Sequence, residues 1–272
     1  MEKIIIKPAK ILEGFDLKEL WKYRELLYFL TLRNLKVRYS QTTIGVLWVI
    51  IQPVLTMLIF SVLFGRFAKL PSDGVPYTIF VFVALLPWNL FSAAISGAGA
   101  SLVLNRSLIS KVYFPRIIVP MAKVMESMID FCISCVVLFF LTLFYKIIPT
   151  QTIIFLPLFI LWALVLSLGV GFWISALSVK YRDVIHALPF LAQIWLYVSP
   201  VAYALSLIPE KWHMIYAINP VAGIIEGFRW SLLGKRADMA VILSPSLVVT
   251  FIIFITGIIY FSNTDKVFAD II

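Results

Sequence analysis

The stretch Tyr77–Leu104, YTIFVFVALLPWNLFSAAISGAGASLVL, contains 28 residues and no charged side chain. An α-helix rises about 1.5 Å per residue, so this stretch can cross the roughly 30 Å hydrocarbon core of a bilayer. Its second half is rich in glycine, alanine and serine, which let helices approach closely within a membrane. The stretch therefore predicts a membrane-spanning helix that packs against its neighbours.

Five further long apolar stretches occur at about 44–65, 124–145, 152–179, 187–209 and 239–264, and among them only 124–145 contains charged residues. The whole chain is 62% hydrophobic and 14% charged. Soluble domains average about 25% charged residues. We therefore predict an all-α polytopic membrane protein with six transmembrane helices in a single domain that covers residues 1–272.

Residues 17–38 mix aromatic side chains with lysines and arginines. A basic, aromatic, amphipathic helix is typical of the membrane surface, and we expect an interfacial helix here. Arg33, Lys36 and Arg38 come just before the first span. They are candidates for binding a lipid phosphate, and the alternative is that they only anchor the helix at the anionic side of the membrane.

The segment 103–116 lies between two spans and is too short to form a domain. Leu108 and Ile109 accompany the polar and basic residues Asn105, Arg106 and Lys111. A short helical turn of this composition is suited to a groove on a soluble partner.

Residues 210–238 have a different composition, because aromatic and charged residues interrupt two apolar pieces on either side of Asn219-Pro220. We predict two short re-entrant helices there.

The basic residues indicate the orientation of the chain. Six spans place both termini on one side, where the loops hold sixteen lysines and arginines against seven on the other side. Lysine and arginine favour cytoplasmic loops, so both termini and the 103–116 segment are predicted to be cytoplasmic. The net charge of +9 is dispersed among these flanks, which argues against nucleic-acid binding.

The sequence lacks the usual catalytic motifs. Gly234-Lys235 has neither the spacing nor the following serine or threonine of a Walker motif. We find no catalytic triad and no metal cluster, and we expect no catalytic site, metal or cofactor in this chain. Lys123, Glu126 and Asp130 share a helical face, where mutual pairing is favoured over a proton relay.

Three aromatic residues lie inside predicted spans, namely Trp48, Trp195 and Tyr197. Aromatic faces can stack on the apolar faces of sugar rings and let a glycan slide past them. The alternative for each residue is contact with lipid or with the protein core.

Several short phrases occur together in a characteristic order. They are Asn34–Thr42, Gly45–Trp48 with Gln52-Pro53, Leu86-Pro87-Trp88, Lys111–Arg116, Lys180–Asp183, Asn219-Pro220 and Gly227–Arg229. From about residue 20 onward the chain thus resembles the permeases of ABC transporters for bacterial polysaccharide export, and within them the O-antigen exporters. The capsule and teichoic acid exporters are related branches.

The resemblance implies a homodimer with two copies of a separate ATPase, which would bind the ATP and Mg. It implies a multi-pass protein of the bacterial inner membrane, surrounded by membrane lipids. The substrate would be a polysaccharide linked to undecaprenyl pyrophosphate. The pore would lie between two protomers and be lined mainly by the first and fifth spans.

The resemblance also implies roles for individual segments. The 103–116 segment would be the coupling helix, the 17–38 helix would stand at the lipid entrance, and the 210–238 segment would form periplasmic gate helices. The coupling residues would be Asn105, Arg106, Leu108, Ile109, Lys111 and Tyr113, and the gate residues Trp212, Tyr216, Phe228, Arg229 and Trp230.

Two other classes of protein remain as alternatives. A membrane-embedded transferase acting on lipid-linked sugars would need clustered acids or histidines, whereas those of this chain are dispersed. A self-contained channel or ion-coupled carrier would be expected to show internal repeats, and none is clear.

Overall fold

The computed structural model describes residues 17–40, 44–147, 150–234 and 239–265. The described residues are helical with connecting turns, and none of them forms a β-strand. The helices are α1 (Leu17–Lys22), α2 (Arg24–Ser40), α3 (Leu47–Phe60), α4 (Tyr77–Leu104), α5 (Arg106–Lys111), α6 (Ile118–Phe144), α7 (Leu156–Lys180), α8 (Asp183–Val198), α9 (His213–Tyr216), α10 (Pro220–Leu233) and α11 (Met239–Asp265). The predicted all-α polytopic fold is confirmed.

Five helical segments within the described ranges are long and apolar enough to cross a membrane. They contain α3 with its π-helical continuation Ser61–Phe67, then α4, α6, α7 with the preceding 3₁₀ turn Gln151–Phe155, and α11. Helix α6 begins at Ile118, six residues before the predicted start, because Lys123 and Glu126 pair within the helix and Pro120 falls in its first turn.

The structure corrects the fifth predicted span, 187–209. Helix α8 has 16 residues, so it is about 24 Å long, and it ends at Val198. Pro200 cannot donate a backbone hydrogen bond and restricts the residue before it, so Ser199 is extended. After Ser199 the chain turns and passes through two short 3₁₀ helices, Leu205–Leu207 and Glu210–Trp212.

Helix α4 is the centre of the bundle. It packs against α6, α7 and α10, and most of its residues are buried. Its aromatic residues Phe80, Phe82 and Phe91 are among the largest fully buried side chains. A helix without charged residues and with apolar residues on most of its faces is expected in such a central position.

Helices α7 and α11 cross at two glycines. A Cβ atom added to Gly257 would lie 2.4 Å from the carbonyl oxygen of Gly169, so the backbones touch there. On the same pair of helices, the indole nitrogen of Trp162 donates a 2.7 Å hydrogen bond to the Thr250 hydroxyl. Close glycine contacts and interhelical hydrogen bonds hold membrane helices together where the hydrophobic effect cannot.

Helices α3 and α8 are different, because almost all of their side chains are exposed or only partly buried. Along α3 only Pro53 and Met57 are buried, and along α8 only Leu188 and Ala192. These two helices therefore have wide apolar faces that the other described residues leave uncovered.

Candidate functional site

Charged residues fasten the predicted interfacial helix to α6. The Arg38 guanidinium lies 2.7 Å from a carboxylate oxygen of Asp130 and 3.3 Å from one of Glu126. Lys123 contacts the other oxygen of Glu126 at 2.7 Å, and the Tyr39 hydroxyl donates to Asp130 at 2.7 Å. Two cations therefore pair with two carboxylates, so each charge of this cluster has a partner of opposite sign.

The three predicted phosphate ligands do not converge in this structure. Arg38 is bound to the carboxylates of α6, whereas Arg33 donates to the side-chain oxygen of Asn105. Lys36 is exposed. Helix α2 thus contacts the 103–116 segment through Arg33 and α6 through Arg38.

The 103–116 segment forms the short helix α5, which is anchored on both sides. Ile109 is buried beside Phe114 in a cluster that includes Leu30 of α2 and Phe261 of α11. After α5, the Arg116 guanidinium forms a 3.0 Å ion pair with Asp265 at the end of α11.

The six predicted coupling residues divide into two groups. Arg106, Lys111 and Tyr113 are exposed, and Tyr113 has an exposed fraction of 89%. Ile109 faces the interior, and Leu108 and Asn105 are half-buried. The segment therefore presents a basic and aromatic surface on a fixed apolar base.

The predicted gate residues are not gathered on one surface. Trp212 is half exposed, and the Tyr216 hydroxyl is 2.6 Å from that of Tyr203. Trp230 packs on Phe155, with 5.3 Å between ring centroids. Phe228 lies in the core with an exposed fraction of 1%, and its role as a gate residue stays a prediction.

Arg229 is also buried, and its contacts are structural. Its guanidinium pairs with Glu226 at 2.8 Å and donates to the carbonyl oxygens of Val201 and Tyr203 at 3.1 and 3.3 Å. It also lies over the ring of Phe80, 3.7 Å from the centroid. Arg229 thus attaches the turn after α8 to α10 and α4. Its role as a gate residue stays a prediction.

The predicted channel aromatics have distinct surroundings. Trp195 donates to the Asn219 side chain at 2.9 Å and meets Phe91 edge to face, so it is half-buried against the core. Tyr197 is exposed on α8, and Trp48 is exposed on α3. Trp48 lines a cavity of about 420 Å³ that Trp195 and Tyr197 do not reach.

This cavity, here named the α4 cavity, lies between α3, α4 and α6 and has a polar lining that the sequence interpretation missed. Its walls include Gln52, Asn89, Ser92, Ser96 and Asp130. The signal in the sequence was the spacing of Asn89, Ser92 and Ser96, which places them on one face of a helix.

These features define the class of the protein. It is a polytopic helical membrane protein in which the 103–116 segment forms a short surface helix between two spans, and in which α3 and α8 have exposed apolar faces. Comparison with known proteins then identifies its family. The model of the ABC-2 type transporter family matches residues 25–233, and the chain belongs to this family. The resemblance to ABC-transporter permeases inferred from the short phrases is thus confirmed.

Individual relatives cover most of the chain. The O-antigen export system permease protein RfbA of Myxococcus xanthus is 31% identical over 214 residues, which are 78% of this chain and 82% of the relative. The protein of the same name from Klebsiella pneumoniae is 27% identical over 249 residues, 91% and 95% of the two chains. The polysialic acid transport protein KpsM of Escherichia coli is 20% identical over 240 residues, 87% and 92%.

Proposed function

We propose that this chain is the transmembrane subunit of an ATP-driven exporter of polysaccharide linked to undecaprenyl pyrophosphate, with O-antigen as its cargo. The observation that carries the proposal is the similarity to O-antigen export permeases over most of both chains. The chain belongs to a transporter family, which favours transport over the transferase alternative.

The 103–116 segment supports a separate ATPase as the energy source. Its apolar side is fixed by Ile109 and its base by the Arg116–Asp265 ion pair, while Arg106, Lys111 and Tyr113 remain exposed. Exposed basic and aromatic residues on a rigid base suit a protein interface. In this proposal two ATPase copies supply ATP and Mg chemistry, and this chain contributes no catalytic group.

The uncovered faces of α3 and α8 support a pore between two copies of the chain. Gln193 and Tyr197, one helical turn apart, are both exposed on α8. An amide group that faces hydrocarbon without a partner is costly, so Gln193 suits a water-filled or protein-covered surface. A homodimer that joins these faces would cover the apolar residues and line its pore with the polar ones.

The orientation follows from the same proposal. The exporter lies in the bacterial inner membrane with the short helix α8 as its sixth crossing, so that both termini and the 103–116 segment are in the cytoplasm. The distribution of sixteen against seven basic residues supports this arrangement.

A capsule or teichoic acid exporter is the second candidate function. The similarity to the polysialic acid transport protein KpsM favours the capsule variant, although it has a lower identity of 20%. O-antigen, capsule and teichoic acid are all glycans, so the residue roles proposed for O-antigen export would be the same for the other two cargoes.

Deletion of the gene tests the proposal. In cells without the chain we expect surface polysaccharide to be lost and lipid-linked glycan to accumulate on the cytoplasmic side, with both restored by a plasmid copy. Chemical analysis of the accumulated glycan distinguishes O-antigen from capsule and teichoic acid. Unchanged surface polysaccharide in the deletion strain would contradict the export function.

A further inference from the structure

Helix α4 is buried on almost every side. Its one accessible face differs chemically from the buried faces. Asn89, Ser92, Ala93 and Ser96 are partly or fully accessible and occupy one face, because they are spaced by three and four residues. They form one wall of the α4 cavity. The accessible face of this central membrane helix is therefore small and polar, whereas its buried faces are mainly apolar.

The polar groups on this wall are unsatisfied by the protein. Within the described ranges, the side chains of Asn89, Ser92 and Ser96 have no hydrogen-bond partner, and neither does Gln52 on the opposite wall. Unpaired amides and hydroxyls in a membrane protein cost free energy unless water or a ligand satisfies them. Two amides and two hydroxyls can therefore form hydrogen bonds with a ligand in this cavity.

The other walls add an aromatic face and a closed ion pair. Trp48 borders the cavity from α3, and Asp130 and Arg38 border it from α6 and α2. The guanidinium and carboxylate contact each other at 2.7 Å, so they leave no net charge among the described lining residues. The Tyr39 hydroxyl also donates to Asp130, and burial raises the pKa of Tyr39, which keeps this donor protonated.

A neutral lining of this kind selects among ligands. A phosphate or pyrophosphate would require a cation free to pair with it, whereas Arg38 is held by Asp130 and Glu126. A hydrocarbon chain would leave the amides and hydroxyls unpaired. A sugar ring meets both requirements, because it is uncharged and its hydroxyls donate and accept hydrogen bonds. Its apolar face can also stack on the indole ring of Trp48.

We propose that the α4 cavity binds one neutral sugar unit of the exported glycan, with Trp48 as the stacking face and Gln52, Asn89, Ser92 and Ser96 as hydroxyl partners. This inference rests on the proposed export function and assigns a subsite to it. The cavity volume of about 420 Å³ lies within the range of small-molecule sites.

Photo-cross-linking in cells that make the native glycan tests the subsite. A benzoylphenylalanine residue is placed at Ala93, which lines the cavity, and in separate strains at Tyr197 on α8 and at Phe139, an exposed residue of α6 outside the cavity. After irradiation the denatured, purified chain is stained for covalently attached carbohydrate. We expect carbohydrate on the Ala93 probe and none on the Phe139 probe.

The outcomes separate the subsite from the export function. Phospholipid alone at the Ala93 probe, or carbohydrate equally at Phe139, overturns the subsite. Carbohydrate at Tyr197 but not at Ala93 also overturns it and leaves export standing. The surface polysaccharide of the deletion strain decides the export function separately.

A matched pair of substitutions gives a second test. Asn89→Leu keeps the side-chain size and removes the amide, and we expect glycan export to fall about tenfold because sugar hydroxyls lose their partner. Asn263→Leu makes the same chemical change at an exposed position of α11 and should export normally. Asn89→Gln should restore part of the rate. Wild-type export by Asn89→Leu at equal membrane levels would overturn the inference.

Discussion

At the scale of single residues, the most consequential contact is the buried pair of Glu226 and Arg229. The two side chains are 2.8 Å apart and almost inaccessible to solvent. Breaking a buried ion pair by removing one partner typically costs about 3–5 kcal/mol, because the other charge stays buried and unpaired. We therefore predict that Arg229→Met lowers the apparent melting temperature of the purified chain, measured as loss of the monodisperse peak in size-exclusion chromatography after heating.

The double variant Glu226→Gln with Arg229→Met provides the control for this residue-scale prediction. It removes both charges, so it should recover much of the lost stability, although the carbonyl oxygens of Val201 and Tyr203 still lose their donor. Arg66→Met, at an exposed position, should leave the melting temperature unchanged. A single Arg229→Met variant as stable as the wild type would show that the pair does not hold the turn after α8.

At the scale of secondary structure, the crossing of α7 and α11 depends on the absence of a side chain. A Cβ atom on Gly257 would lie 2.4 Å from a backbone oxygen of Gly169, and backbone cannot rotate away as a side chain can. Overpacking of this kind costs typically about 1–3 kcal/mol. We predict that Gly257→Ala separates the two helices and lowers the melting temperature.

Gly97→Ala is the matched control for the helix crossing. A Cβ atom there would meet atoms of the flexible Lys123 side chain at 3.4 Å, which is close to ordinary contact. The same glycine-to-alanine change should therefore be tolerated in α4. Equal melting temperatures for the two variants would mean that the close contact at Gly257 is not limiting.

At the scale of the whole molecule, the 103–116 segment is the element through which a partner would act on the bundle. We predict that the double charge reversal Arg106→Glu with Lys111→Glu weakens capture of the ATPase and lowers export at least tenfold, because both exposed cations would lose complementary contacts. The measurement is a pull-down of the tagged chain from its native membrane, with the ATPase quantified by mass spectrometry.

Arg66→Glu is the control for this reversal, since it changes an equally exposed cation near the end of the π-helical continuation of α3. It should retain the ATPase and export normally. Both variants should insert at wild-type levels, because each exchanges one charged side chain for another and removes no apolar residue from a span. Wild-type export by the double reversal would exclude the 103–116 segment as the coupling element.

The sequence by itself determined the class of protein and the approximate position of most of its long helices. An uncharged run such as Tyr77–Leu104 satisfies its own backbone hydrogen bonds and cannot remain in water, so its length and composition suffice to predict a span. The turn between α4 and α6 and the break at Asn219-Pro220 were predictable for the same reason, since charges, proline and capping residues act locally.

The tertiary structure decided which side chains meet. Arg38 pairs with Asp130, 92 positions away, and Trp195 bonds to Asn219 across a turn, so two residues predicted to contact substrate are held by the protein. Phe228 and Arg229 are in the core for the same reason. Conversely, Asn89 and Gln52 share a cavity only because α3 and α4 pack side by side. Helical periodicity determines which face a residue occupies, and the packing of the other helices determines what that face contacts.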